Sequence, residues 1–168
     1  MENLIDVLNK EHSEYELLLE LSEKKTPIIV KGDLEALTKI TDEEQVVVSR
    51  IHHLDSVHTE VLKDIANVIN KDVELLKLDN LIKMLEKQPV EQKKLQDIHD
   101  KLHSTIKRLS QINEHNRELL RISLEMVEFD LNLIQAMRTA PETANYSRAA
   151  LNVGTTMGGE YKGFDAKQ

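Results

Sequence analysis

Apolar residues recur along most of the chain at steps of three and four. Ile5, Leu8, His12, Tyr15, Leu19 and Ser22 follow this rhythm, with Leu4 and Leu18 alongside. That is the spacing of one helix face, and it predicts a first helix over about 2–30. Pro27 is expected to kink this helix or end it early, because proline has no N–H for the helical ladder. Gly32 suits a left-handed helix stop, and Asp33 suits the cap of the next helix. A second run predicts a helix over about 33–71: Leu37, Ile40, Glu44, Val47, Ile51, Leu54, His58, Val61, Ile65 and Val68. It reads as a heptad seam with polar guests at Glu44 and His58. The connection after it holds a short helix, 80–87, that Asp79 should cap. Pro89 fits the first turn of a third long helix, 89–138.

The third helix changes character midway. With Leu95 at heptad position a, the a and d positions read Leu95, Ile98, Leu102, Thr105, Leu109, Ile112, Asn116, Leu119, Ser123, Met126, Asp130, Leu133 and Met137. The flanking columns are mostly polar at first. Position b carries Gln96, His103, Ser110 and Arg117, g carries Lys101, Arg108 and His115, and e carries His99, Ile106 and Asn113. Beyond Arg117 every one of them is apolar: Leu124 and Leu131 at b, Ile122, Phe129 and Ala136 at g, Leu120, Val127 and Ile134 at e. The result is two apolar lobes, with Ser123 and Asp130 between them. A helix that is apolar on most sides needs cover on most sides. Asn116 lies on the seam and Asn113 on the same face, at the border between narrow and wide stripe. A seam asparagine is most simply a register device; direct contact with a partner is the other reading.

The fold class is all-α: an elongated antiparallel three-helix bundle or coiled coil over 1–138, with a flexible C-terminal tail over 139–168. The third helix alone should be roughly 75 Å long at ~1.5 Å per residue. If it starts level with the end of the second helix, residues beyond about 127 project past the bundle. One lobe would then pack on the first two helices. The short helix, the tail, a second copy or another protein's amphipathic helix would cover the other.

Four of the five glycines (Gly154, Gly158, Gly159 and Gly163) and three of the five aromatics (Tyr146, Tyr161 and Phe164) fall in the tail. The tail's formal charge sums to zero, with Arg148, Lys162 and Lys167 against Glu142, Glu160 and Asp165. Apolar anchors spaced along a glycine-rich segment fit ordering on binding better than a neutral linker. The partner-binding residues expected from the sequence are Asn113, Asn116, Leu120, Ile122, Leu124, Val127, Phe129, Leu131 and Ile134, then Tyr146, Leu151 and Val153.

Composition removes several other functions. A net charge of −8 argues against a nucleic-acid surface. The absence of cysteine excludes disulfides and thiolate chemistry and suits a cytoplasmic setting. The N-terminus lacks the basic and unbroken apolar regions of a signal peptide, and no stretch is apolar enough for stable membrane insertion. The "HDKLH" stretch places His99 and His103 one turn apart, a spacing that can hold a metal, but no third ligand is evident. No phosphate loop or nucleophile–base pattern stands out. The expectation is a binding protein, neither an enzyme nor a cofactor carrier. A structural coiled-coil scaffold that self-associates is the alternative of a different kind.

The chain resembles the FlgN-type flagellar export chaperones along nearly all its length. The resemblance rests on "KGDLEALTKITDEEQVVVSRIHHLD", on "INEHNRELLRISLEMVEFDLNLI" and on the tyrosine-bearing "NYSRAALNVG". It implies a cytoplasmic helical chaperone that binds the C-terminal helical region of hook–filament junction proteins. Such a chaperone blocks their premature assembly and delivers them to the flagellar type III export apparatus. It also implies that the end of the third helix and the tail bear the client site, with Tyr146 as a contact for the export gate.

Overall fold

A computed structural model describes residues 1–69 and 78–139, and all the elements among them are helical. Helix α1 spans Glu2–Lys31, α2 spans Leu34–Ile69 and α3 spans Leu78–Met84. A 3₁₀ turn, Leu85–Lys87, then leads into α4, Pro89–Thr139. The chain divides into two compact units, Met1–Val127 and Glu128–Gln168.

Local chemistry sets the helix ends. Pro27 lies inside α1 without ending it; the helix continues to Lys31. It stops at Gly32, whose φ of 68° is in the left-handed region that glycine occupies at little cost. The Gly32 N–H donates to the Ile29 carbonyl at 3.0 Å and the Asp33 N–H to the Ile28 carbonyl at 3.3 Å. These are the two bonds of a Schellman stop, and they satisfy carbonyls the helix leaves open. Asp33 then caps α2: its Oδ1 accepts from the Ala36 N–H at 3.0 Å. Two residues thus close one helix and open the next. Asp79, expected as the cap of the short helix, instead lies within the first turn of α3, which begins at Leu78. An acidic residue there still complements the positive end of the helix. Pro89 is the first residue of α4, and the Gln88 N–H bonds back to the Leu85 carbonyl at 2.8 Å.

Within the first unit the core forms two apolar clusters. Leu4 and Leu8 of α1, Ala66 of α2, Leu81, Ile82 and Leu85 of the α3 region, and Leu95, Ile98 and Leu102 of α4 make one. Leu18 and Leu21 of α1, Ile40, Val47 and Ile51 of α2, and Leu109 of α4 make the other. Burying a leucine such as Leu4 or Leu95 contributes about 1.5–3 kcal/mol. Helix α3 packs on the first cluster, and the Gln92 side chain of α4 donates to its Ile82 carbonyl at 2.9 Å.

The polar guests on the seams sit between and beyond these clusters. His58 Nδ1 lies 3.2 Å from Glu11 Oε1, and His12 Nε2 lies 3.3 Å from Thr105 Oγ1. Farther along α1, Glu44 accepts from Ser22 Oγ at 3.1 Å and from Lys25 Nζ at 2.6 Å. Along α1, the pairings of Glu11, Glu14 and Ser22 fall on His58, Arg50 and Glu44, so the partners descend along α2. Those on α4 ascend: His12 meets Thr105, Glu23 meets Arg108 and Thr26 meets Asn116.

The described part of the second unit is the last stretch of α4. Every side chain from 128 to 138 is exposed.

Candidate docking surface

Asn116 marks where covered helix gives way to open helix. It is buried, at 3% exposure, as the register-device reading of a seam asparagine expects, although the sequence also left direct partner contact open. Its Nδ2 donates to the Ser22 carbonyl at 2.8 Å, and its Oδ1 accepts from Thr26 Oγ1 at 2.6 Å. Both ends of the amide are used inside the protein, so this residue leaves the set of expected partner contacts. With Ser22, Lys25 and Glu44 it forms a polar layer that draws on α1, α2 and α4. Asn113, one turn earlier, is exposed. The shared face inferred from the sequence therefore splits, with one asparagine inside and the other at the surface.

Leu119 and Leu120 are half-buried, and from Arg121 to Arg138 every α4 side chain is exposed. Cover ends about six residues sooner than the expected border near 127. The reason is register. Thr26 is level with Asn116, and α1 stops five residues later at Lys31. Two helices climb ~1.5 Å per residue alike, so five residues past Asn116 the neighbour is gone. The expectation that one lobe packs on α1 and α2 is therefore corrected: in the first unit, Ile122, Leu124, Met126 and Val127 on both lobes are exposed. Helix α3 does not cover them, being seated on the cluster of Leu4, Ala66 and Leu95.

In the second unit Phe129, Leu131, Leu133, Ile134 and Met137 are exposed, Phe129 at 66%. Met126 belongs with the exposed residues although the sequence-based set omits it. Its d position would have found it, once the loss of cover was known. Tyr146, Leu151 and Val153 lie outside the described residues.

The helix continues through this open stretch with local ion pairs along its own surface. Arg121 bridges Glu118, at 2.6 Å, and Glu125, bracketing one turn on each side. Hydrogen bonding to Glu118 lowers the pKa of that exposed carboxyl and raises that of the guanidinium. Such i, i+3 and i, i+4 pairs support a helix whose apolar side chains are exposed. Between the last covered turn and the first open one lies a groove lined by Lys25, Asn113, Asn116, Arg117, Leu120, Arg121 and Leu124.

The histidine pair has other uses. The rings of His99 and His103 stack with centroids 6.4 Å apart. His99 is also shared between Asp79, at 3.5 Å, and Asp100, at 3.2 Å. Among the described residues no three His, Cys, Asp or Glu side chains are grouped to hold a metal ion. No helix among them is long and apolar enough to cross a membrane.

A family model described as FlgN protein matches residues 1–153. No curated protein and no solved structure matches the chain.

Proposed function

Because the chain belongs to the FlgN family of flagellar export chaperones, we propose that it binds the C-terminal helical region of hook–filament junction proteins in the cytoplasm. It keeps them from assembling early and delivers them to the flagellar type III export apparatus. The observation that carries this reading is the run of exposed apolar side chains on α4 from Ile122 to Met137. Covering such surface returns about 25 cal/mol per Å² of apolar area, less the costs of association. The i, i+3, i+4 spacing of Leu120, Leu124, Val127, Leu131 and Ile134 matches the ridges of a second helix, so the natural occupant is an amphipathic helix of the client.

In this reading α1, α2 and α4 form an antiparallel three-helix bundle that serves as a handle. The descending order of the α1–α2 pairings supports that arrangement. Ile122, Phe129 and the residues above bind the client, with Asn113 at the border. Tyr146 contacts the export gate, and Leu151 and Val153 extend the client site. Free of client, the same face suits self-association, and a scaffold would keep that pairing when client is added.

The test is calorimetry of the full chain with the C-terminal region of a junction protein, with mass measured before and after mixing. Binding that replaces any self-pairing supports a chaperone. No binding, with a stable oligomer throughout, supports a scaffold and overturns the proposal.

A further inference from the structure

We propose that the tip of the α1–α2 hairpin forms the floor of the client seat, with Val30 and Leu34 as contact residues; this rests on the chaperone reading above. Val30 is the last residue but one of α1, and Leu34 is the first of α2. They are 69% and 75% exposed, on either side of the Gly32 turn. The turn itself does not require them. The Schellman bonds are main-chain bonds, and the cap is the Asp33 carboxylate. Polar residues would serve both positions and keep the tip solvated. A single exposed leucine is ordinary, but two large apolar residues at one tight turn, beside a further apolar surface, make a patch.

The register places that further surface beside them. Thr26 is bonded to Asn116, so Val30, one turn on, is level with about Leu120. Lys25 of α1 and Leu120 and Leu124 of α4 line one groove. Up to Asn116 the α4 face is occupied by α1. Beyond Lys31 α1 no longer occupies that lane along α4, and its residues Leu124 and Val127 are apolar and exposed. An amphipathic helix laid in that lane continues the α1–α4 interface already present. Its first turn then comes end-on to the hairpin tip, where Val30 and Leu34 meet it. The tip thus sets how far along α4 the client helix slides, which a smooth helix face alone does not.

The experiment compares full-length variants for binding the C-terminal region of a hook–filament junction protein. Val30→Lys/Leu34→Lys is expected to weaken binding by at least about tenfold with the melting temperature unchanged, since both side chains are exposed. Val68→Lys, at an 85% exposed position near the far end of α2, is expected to bind as wild type does. A photo-crosslinker at position 34 should capture the client. Wild-type affinity in the double lysine variant, together with loss of binding in Phe129→Asp/Leu131→Asp, overturns the tip contact and leaves the chaperone reading standing. A position-34 crosslink only to a second copy of this chain also overturns it. Failure of the wild-type chain to bind the client overturns both.

Discussion

Thr26 on α1 and Asn116 on α4 join hydroxyl to amide carbonyl across 2.6 Å, although 90 residues separate them in the chain. The same amide donates to the Ser22 carbonyl at 2.8 Å. Removing this buried amide takes a bond from the Ser22 carbonyl and one from the Thr26 hydroxyl, which costs about 1–3 kcal/mol, and an alanine there leaves a cavity as well. Asn116→Ala is therefore expected to lower unfolding stability by about 1–3 kcal/mol in urea. Thr26→Ala should cost less, and the double variant should cost less than the two changes summed, because the pair shares one bond. Strict additivity in that cycle would show that the pair does not set the register.

Stability should also depend on pH through His58. The hydrogen bond to Glu11 raises the pKa of His58 above its ordinary 6.5, against the opposing effect of burial, and the charges of Glu11 and Asp55 add to the rise. A histidine whose folded pKa exceeds its unfolded one stabilises the fold fully below the unfolded value. That contribution is lost as pH rises through the folded pKa. Denaturant midpoints of the wild type should thus fall from pH 6 to pH 8.5 relative to a Glu11→Leu/His58→Leu variant. Parallel curves for the two proteins would remove His58 as the source.

Charge on the open end of α4 should cost binding and spare folding. Phe129 and Leu131 are exposed, so Phe129→Asp/Leu131→Asp removes no core contact. In a complex it places carboxylates against apolar surface, which costs at least a few kcal/mol. At ~1.4 kcal/mol per tenfold, affinity for the junction-protein region should fall a hundredfold or more. Circular dichroism should report unchanged helix content. Deleting 140–168 should likewise weaken binding or export. Full-strength binding by the aspartate variant without 140–168 would place the site elsewhere.

Zinc should leave the protein unaffected. His99 is half-buried and already faces Asp79 and Asp100, and its stack with His103 supplies no third ligand. The melting temperature should be the same with zinc and with a chelator. A rise of several degrees with zinc that disappears in His99→Ala/His103→Ala would indicate a metal site.

What the sequence determined by itself was local. Gly32 and Asp33 mark the turn between α1 and α2 because a left-handed stop and a carboxylate cap need only neighbouring residues. Pro89 opens α4 for the same kind of reason, its missing N–H being one that a first helical turn does not use. Heptad spacing likewise gave the widening of the apolar stripe after Arg117 and most of the helix faces, but it placed Val68 on the second seam, where the structure leaves it 85% exposed and buries Ala66 instead. Tertiary structure decided what those faces meet. Asn113 and Asn116 are neighbours on the wheel, yet only Asn116 is buried, because only it is level with Ser22 and Thr26. The border of the open surface falls at Arg121 and not near 127 because α1 and α4 are set side by side by contacts about 90 residues apart. Spacing within one helix carries no record of that offset. The offset between helices leaves Ile122 and Leu124 exposed.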